Sequence, residues 1–230
     1  MTNIVILTGA GVSAESGLGT FRNTDGLWTE YDIEDVATPE GFARDPVLVH
    51  DFYNARRDNC LRARPNPAHY ALARLEKKHS GPVHIITQNV DDLHERAGTR
   101  AVWHMHGELM RARCAACGHG WDAPRRMRAG APCPACGNGA TRPDVVWFGE
   151  MPFHMHEIPD LLRAADLFVS IGTSGNVYPA AAFVQDAART GARTLELNLE
   201  PSAGARDFDE TRQGPASALV PQWVEEVLGR

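Results

Sequence analysis

Four of the five cysteines form two closely spaced pairs, and pairs of this kind are typical metal ligands. Cys114 and Cys117 are separated by two residues, as are Cys133 and Cys136, and fifteen residues lie between the pairs. Four thiolates at this spacing are the usual ligands of a structural zinc ion, since they leave no coordination position open for water. Two disulfides are the alternative, which a reducing cytosol disfavours. We therefore predict one structural zinc.

A polar segment and a histidine follow two candidate strands. Gln88, Asn89 and Asp91 come directly after the apolar run at 83–87, and His106 ends the segment at 101–106. In doubly wound α/β folds, ligands bind beyond the carboxyl ends of the strands. An imidazole titrates near neutral pH, which suits proton transfer. Asn89 or Asp91 could instead cap the next helix, and His106 could be an ordinary strand histidine near a turn.

A glycine-rich turn follows the first apolar run, at residues 4–7. Gly9 and Gly11 place no side chain in this turn, so a large ligand could come close to the backbone. A strand that leads into a glycine turn is how doubly wound folds present backbone N–H groups to a pyrophosphate. The same two glycines also occur in plain tight turns, so this signal is weak by itself.

Short apolar strands alternate with helical patterns along most of the chain, which predicts an α/β fold. Strands are expected at 4–7, 83–87, 101–106, 166–171 and 194–199. Helices are expected at 45–64, 66–79, 91–97 and 179–190, with a final amphipathic helix after Gly214-Pro215. Residues 108–145 break this rhythm with the cysteine pairs, glycines, prolines and arginines. We expect them to form an insert that needs its metal to fold.

The bulk composition is that of a soluble globular protein: 43% of the 230 residues are hydrophobic and 23% are charged. A net charge of −6 argues against a general nucleic-acid binder, which needs a basic face. The apolar runs are shorter than the ~20 residues of a membrane span. Because the first candidate strand begins at residue 4, we expect no signal peptide. We expect a cytoplasmic protein with no nucleic-acid or membrane partner.

The ordered motifs of this chain resemble those of the sirtuins. They are Gly9-Ala10-Gly11-Val12-Ser13, Thr87-Gln88-Asn89-Val90-Asp91, His106-Gly107, the four cysteines, Phe148-Gly149-Glu150, Gly172-Thr173-Ser174 and Asn198-Leu199-Glu200. The resemblance covers nearly the whole chain and is closest to the short bacterial members of the class III branch. It implies an α/β fold, a Rossmann-like parallel sheet with helices on both faces plus a small zinc-binding domain.

The resemblance also implies domain boundaries. The Rossmann-like large domain is expected from about 1–30, 66–107 and 146–230. The small domain is expected from about 31–65, which is helical and carries an acyl pocket, and from 108–145, which binds zinc. NAD and an acyl-lysine substrate are expected in the cleft between the two domains.

Roles for individual residues follow from the same resemblance. His106 is the expected catalytic base, Phe21 the ring that shields the reaction centre, and Arg22 the residue that positions the cofactor loop. The expected NAD-binding residues are Gly9, Ala10, Gly11, Ser13, Ala14, Glu15, Thr20, Phe21, Arg22, Trp28, Gln88, Asn89, Asp91, Gly172, Thr173, Ser174, Asn198, Leu199, Glu200 and Ala216. The expected substrate-binding residues are Tyr53, Arg56, Phe148, Gly149, Glu150, Val177 and Tyr178.

Tyr53 and Arg56 are three residues apart on a predicted helix, so both side chains leave the same face. The pair resembles the one that lines the acyl pocket of class III sirtuins, where a guanidinium binds a carboxylate through two parallel hydrogen bonds. This predicts a preference for succinyl-, malonyl- or glutaryl-lysine, with acetyl-lysine as a weaker substrate. A half-buried tyrosine beside a surface arginine is the alternative.

The resemblance implies NAD-dependent removal of acyl groups from protein lysines. Mono-ADP-ribosyl transfer is a second possibility, because it uses the same cleft and the same departure of nicotinamide. A non-catalytic NAD-sensing adaptor is a third, against which the intact set of His106, Asn89 and Asp91 speaks. Gly19 departs from the proline that many sirtuins carry there, and we expect a more mobile cofactor loop before NAD binds.

Overall fold

The structure is a computed structural model that describes residues 1–19 and 31–229. Four residues with an expected role in cofactor binding, Thr20, Phe21, Arg22 and Trp28, lie outside the described residues.

Two sheets organise the described chain. The main sheet has six parallel strands in the order β3-β2-β1-β7-β8-β9, and the smaller sheet has three antiparallel strands in the order β5-β4-β6. The strands are β1 (Ile4–Thr8), β2 (Val83–Thr87), β3 (Val102–His104), β4 (Gly107–Cys114), β5 (Gly120–Asp122), β6 (Thr141–Val145), β7 (Leu167–Ile171), β8 (Arg193–Asn198) and β9 (Glu210–Gln213). The main sheet has the strand order of a Rossmann fold, with the small sheet inserted after its third strand.

The described helices are α1 (Ala10–Ala14), α2 (Ile33–Val36), α3 (Pro39–Arg44), α4 (Pro46–Arg62), α5 (Pro67–Lys78), α6 (Leu93–Arg96), α7 (Ile158–Arg163), α8 (Phe183–Arg189) and α9 (Ala216–Leu228). The starts of α4 and α5 follow directly from the sequence. Asp45 and Asn66 cap the backbone N–H groups of Leu48 and Ala68, and a proline occupies the first helical position in both helices. Each of the described helices is too short or too polar to cross a bilayer.

Each face of the main sheet is covered by helices. On one face, Ile6 and Val169 pack with Leu72 of α5 and Trp223 of α9. On the other face, Leu7 and Phe168 pack with residues of α7 and α8. The strands β1 and β7 are therefore buried on both sides, which is why their sequences are continuous apolar runs.

A third core joins helices α2–α4 to the small sheet. Phe52 and Tyr53 of α4 pack against Leu109 of β4, Val145 of β6 and Trp147, and all five side chains are buried. The region that includes residues 33–62 is thus attached to the small sheet. Val90, in the loop after β2 of the main sheet, also packs against this core.

Two sequence-based expectations for the main sheet were incomplete. The strand expected at 101–106 ends at His104, so His106 lies in the turn between β3 and β4. Gly107 has a φ of +83°, and a Cβ atom there would lie 2.1 Å from the Asp144 carbonyl oxygen. The turn therefore requires glycine directly after His106. Strand β9 was not expected, because its sequence, Glu-Thr-Arg-Gln, has no apolar periodicity.

Candidate active site

Most of the predicted cofactor residues lie at one edge of the main sheet. Gly9 follows β1, Gln88 follows β2, Gly172 follows β7, and Leu199 follows β8. The strand order reverses between β1 and β7, and in open α/β sheets the crevice at such a reversal is where dinucleotides bind. The topology thus brings four separate sequence motifs to one crevice.

The glycines after β1 and β7 pack against each other. A Cβ atom on Gly11 would lie 2.7 Å from the Gly172 Cα atom, and one on Gly9 would lie 2.8 Å from the Gly172 carbonyl oxygen. The Gly11 N–H group donates to that same carbonyl oxygen at 2.8 Å. Glycine is therefore required at these positions by the close contact between the two loops. From the sequence, we had expected only that the glycines would let a ligand approach the backbone.

Ser13, Asn89 and Asp91 form one buried hydrogen-bonded cluster. The Ser13 hydroxyl donates to Asp91 Oδ2 at 3.0 Å, and Asn89 Nδ2 lies 3.2 Å from Ser13 Oγ and 3.1 Å from the Gly9 carbonyl oxygen. Burial raises the pKa of Asp91, and bonds from the Leu93 N–H and Ser13 hydroxyl groups oppose this rise. Asp91 thus both caps the turn before α6 and joins the glycine loop to the segment after β2.

Two histidines of this buried cluster were missed in the sequence. His69 and His94 are completely buried, with ring centroids 5.0 Å apart. His94 Nε2 lies 3.0 Å from the hydroxyl of Thr8, and His69 Nε2 lies 3.4 Å from that of Ser13. Burial lowers the pKa of His69 to about 4, so its ring is neutral at pH 7. Neither histidine lies in a motif that singles it out in the sequence.

His106 is oriented as a proton acceptor. Its Nδ1 atom lies 3.1 Å from the Gln88 carbonyl oxygen, which can only accept, so Nδ1 carries the hydrogen. In the neutral ring, Nε2 then has a free lone pair. Burial lowers the pKa of His106, and the bond to Gln88 partly opposes that shift. The histidine is therefore neutral, with a defined tautomer, at physiological pH.

The remaining predicted cofactor residues have varied surroundings. Ala10, Gly11, Ser13 and Ala14 form most of α1, while Leu199 and Glu200 are exposed beyond β8. The Asn198 side chain donates to the Thr173 carbonyl oxygen at 2.7 Å, which fixes the loop that contains Ser174. The Glu15 carboxylate accepts from the N–H and hydroxyl groups of Ser217, directly after the buried Ala216. Glu15 thus places a negative charge at the N-terminus of α9, where the helix dipole favours it.

Tyr53 and Arg56 share a face of α4, as expected. Tyr53 is 1% exposed, and Arg56 Cζ lies 5.5 Å from the centre of its ring. Burial lowers the pKa of Arg56, while the nearby Tyr53, Cys60 and Asp91 oppose this shift. Arg56 is half-buried, whereas Tyr53 is fully buried. The alternative of a half-buried tyrosine beside a surface arginine does not describe this helix.

Arg57 has a different role from its neighbour. It is 1% exposed, and its guanidinium donates to the Leu109 carbonyl oxygen at 3.0 Å and to Asn54 Oδ1 at 2.9 Å. Arg57 therefore attaches α4 to β4. Arg56 belongs to the face that carries Tyr53.

The predicted peptide site includes exposed apolar side chains. Phe148 and Tyr178 are 49% and 76% exposed, and Met151 nearby in the chain is 76% exposed. Gly149 is also exposed, whereas Val177 is half-buried. The Glu150 side chain is occupied within the protein: its carboxylate accepts from Arg142, Arg113 and the Trp147 N–H group. Any contact of Glu150 with a peptide would therefore use its backbone.

The four cysteines converge at the end of the small sheet. Their sulfur atoms all lie within 4.8 Å of one another, and the Sγ distances are 3.8 Å from Cys114 to Cys136 and 3.9 Å from Cys117 to Cys133. A disulfide needs an S–S distance of about 2.05 Å. A tetrahedral site with Zn–S bonds of about 2.3 Å places its sulfurs about 3.8 Å apart. The arrangement fits zinc and does not fit disulfides.

Fold and site together define a dinucleotide-binding α/β protein with a histidine of defined tautomer beside the crevice and a four-cysteine cluster suited to zinc. The chain belongs to the Sir2 family, whose model matches residues 9–179. A Caulobacter vibrioides protein named NAD-dependent protein deacylase is 59% identical over 231 residues, which cover 99% of this chain and 97% of that protein.

Solved structures agree with this assignment. A Sir2 homologue in complex with NAD is 40% identical with a TM-score of 0.90, and the match covers 97% of this chain and 88% of that one. A Sir2 structure with a deacetylated p53 peptide and 3'-O-acetyl-ADP-ribose is 29% identical with a TM-score of 0.81. That match covers 98% of this chain and 93% of the other.

Proposed function

We propose that this chain is an NAD-dependent protein lysine deacylase that favours acidic acyl groups such as succinyl, malonyl and glutaryl, and also accepts acetyl. The reaction converts NAD, acyl-lysine and one water molecule into nicotinamide, 2'-O-acyl-ADP-ribose and free lysine. The observation that carries the acyl preference is the position of Arg56 on the face of α4 that carries the buried Tyr53, with Cζ 5.5 Å from the centre of the phenol ring.

NAD supplies an activated glycosidic bond between nicotinamide and ribose. Nicotinamide is the leaving group when the acyl oxygen attacks the ribose. The protein's part is alignment, exclusion of water and proton transfer. His106 is suited to proton transfer, since its Nδ1–H group is bound to the Gln88 carbonyl and Nε2 is left to accept. We assign it as the base that removes a proton from a ribose hydroxyl.

The buried polar cluster is suited to orient the dinucleotide. Asn89 and Asp91 are held by Ser13 and by the backbone of the glycine turn, so their positions are fixed before a ligand arrives. Gly172 and Asn198 fix the second loop of the crevice in the same way. Preorganised polar groups of this kind do not need to rearrange during the reaction.

The peptide is expected to bind as an added strand between residues 148–150 and 175–178. Such binding depends mainly on backbone hydrogen bonds, so selectivity for the residues around the lysine should be loose. The exposed side chains of Phe148 and Tyr178 offer apolar contact on either side. The four-thiolate site requires reduced cysteines, which supports a cytoplasmic location.

The acyl preference follows from the chemistry of the two donors. A guanidinium can bind a carboxylate through two parallel hydrogen bonds, and the phenol of Tyr53 can add a third. A neutral acyl group offers these donors no charged acceptor. One charge-assisted hydrogen bond is worth about 1.5–3 kcal/mol, which corresponds to about ten- to a hundredfold in kcat/KM.

The proposal is tested with succinyl- and acetyl-lysine peptides of one sequence, turned over with NAD and followed by mass spectrometry. Arg56→Met should lower kcat/KM for the succinyl peptide about ten- to a hundredfold more than for the acetyl peptide. Arg62→Met on the same helix is the control and should leave the ratio unchanged. Equal losses on both peptides would remove Arg56 from acyl selection. Label transferred to protein would indicate ADP-ribosyl transfer instead.

A further inference from the structure

Tyr53 accepts a hydrogen bond from a side chain that can only donate. The indole Nε1–H group of Trp147 donates to the Tyr53 phenol oxygen at 3.0 Å. The Arg56 guanidinium, also a donor without acceptor capacity, lies with Cζ 5.5 Å from the centre of the Tyr53 ring. A phenol has one hydrogen, and the indole bond uses its oxygen as an acceptor, so the hydrogen is left for another group.

The phenol keeps its hydrogen at working pH. Burial raises the pKa of Tyr53, and the effects of Arg56, Trp147 and Arg142 oppose this rise only in part. Tyr53 can therefore donate this hydrogen to a further group. A carboxylate accepts hydrogen bonds and donates none, whereas the end of an acetyl group is a methyl.

The orientation of Trp147 is itself fixed from the other side. The Arg142 guanidinium lies over the indole ring, 3.3 Å from the ring centroid, and Arg142 is held by Glu150 at 2.6 and 2.9 Å. Glu150 also accepts from the Trp147 N–H group of the backbone at 2.8 Å. Trp147 is 3% exposed, so the indole has little freedom to turn away from Tyr53.

We infer that Trp147 is a positioning residue for acyl selection: its indole N–H group occupies the Tyr53 oxygen and so directs the phenol hydrogen to an acidic acyl group. This inference rests on the proposed deacylase function and deepens it. It extends the specificity site from the two residues on α4 to the segment after β6. Trp147 does not touch the substrate in this assignment and acts through Tyr53.

The test is a double-mutant cycle on the ratio of kcat/KM for succinyl- and acetyl-lysine peptides. Trp147→Phe keeps an aromatic ring and removes the N–H group. The ratio should fall about two- to tenfold, which is the range for one neutral hydrogen bond, and the change should appear mainly in KM for the succinyl peptide. Tyr53→Phe should also lower the ratio. The double variant should match Tyr53→Phe alone, because Trp147 has nothing left to orient.

A purely structural role for Trp147 gives a different result. It would lower turnover of both peptides alike, or would add to the effect of Tyr53→Phe, and either outcome would overturn the inference. If Trp147→Phe does not fold, Trp147 is replaced with β-(3-benzothienyl)alanine, in which sulfur takes the place of the N–H group in a ring of the same shape. Absence of NAD-dependent turnover in the unaltered protein would overturn the proposed function, and this inference with it.

Discussion

His104 and His106 bind the carbonyl oxygens of two consecutive residues. His104 Nδ1 lies 3.2 Å from the Asn89 carbonyl oxygen, and His106 Nδ1 lies 3.1 Å from that of Gln88. The two histidines thus connect the turn after β3 to the polar segment after β2. The proposed base and the residues expected to orient NAD are therefore parts of one hydrogen-bonded unit. His104 is buried and His106 is half-buried, so the second ring can be reached by substrate.

The first prediction concerns the pH dependence of turnover. Burial lowers the pKa of His106, so its neutral form persists below the ordinary value of about 6.5. The proposed role as a base requires this neutral form, so the acid limb of kcat/KM that His106 controls should lie below that pH. His106→Ala should lower NAD-dependent turnover at least a hundredfold, given that a general base contributes about 10²–10⁴.

The control for His106 is His156→Ala, since His156 is exposed and outside the crevice. It should leave the pH profile and the zinc content unchanged. Retained turnover in folded His106→Ala, with its zinc in place, would remove this histidine from the mechanism.

The second prediction concerns His104 and its partner Glu95, whose Nε2 and Oε1 atoms are 2.7 Å apart. Burial alone would lower the pKa of His104, but the bond and charge of Glu95, with a smaller effect of Glu108, raise it overall. A raised histidine pKa adds stability that is fully present below the unfolded value of about 6.5 and is lost as pH rises through the folded value.

Glu95→Gln should therefore destabilise the protein more at pH 6 than at pH 9. The Glu95 side chain is 40% exposed, so we expect a difference of about 0.5–1 kcal/mol, as for solvent-screened pairs. Urea unfolding at both pH values measures it. Glu108→Gln is the matched control, because Glu108 acts on His104 through charge without that bond, and its effect should be smaller. A difference independent of pH would show that the pair does not titrate as described.

Much of the fold could be predicted because its signals are local. The strands β1, β2 and β7 are short and mostly apolar, and β8 alternates leucine with polar residues. Helices α4 and α5 begin with a cap followed by proline. Strand β9 gave no such signal, since it is a polar strand at the edge of the sheet. The end of β3 was misplaced because the approach of Gly107 to Asp144 depends on residues distant in the sequence.

The candidate site divides in a similar way. Motif residues such as His106, Asn89 and the four cysteines could be found from residue type and spacing. His69, Arg142 and Trp147 could not, because their importance comes from contacts formed only when distant elements pack. Neither periodicity nor spacing separates the buried Arg57 from its neighbour Arg56. Which of the two adjacent arginines is attached to β4 is decided by packing of distant elements.

The third prediction concerns the metal. The four sulfur atoms converge at zinc geometry in a segment that has little other core, and binding of a structural zinc contributes about 10–16 kcal/mol in small zinc modules. The protein should contain one zinc per chain. Cys117→Ser should lose most of it and lower the thermal midpoint, because β4 and β6 also carry the third core.

Cys60→Ala is the control for this substitution, since Cys60 is buried in α4 away from the other sulfurs. It should retain one zinc per chain by elemental analysis. A chain that is fully folded and holds no zinc after extensive purification from zinc-supplemented cells would contradict the assignment.

The last prediction separates backbone strain from the contact between the two glycine loops. Gly172 has a φ of +64°, and a Cβ atom there would lie 2.5 Å from the Val12 backbone nitrogen. Gly191 has a φ of +89° and nothing within 4 Å of its Cβ position, so it carries the same left-handed conformation without the contact. Gly191→Ala should therefore cost only the conformational strain, about 1–2 kcal/mol in urea unfolding, and should leave NAD binding unchanged.

Gly172→Ala should cost more stability than Gly191→Ala and should also weaken NAD binding measured by calorimetry, because the loop after β7 must move away from α1. Gly172 and Gly11 meet across the point where the strand order reverses, so displacement of one loop widens the crevice that both are expected to line. Equal stability losses in the two variants, with NAD affinity intact in both, would show that the contact between the loops does not shape the site.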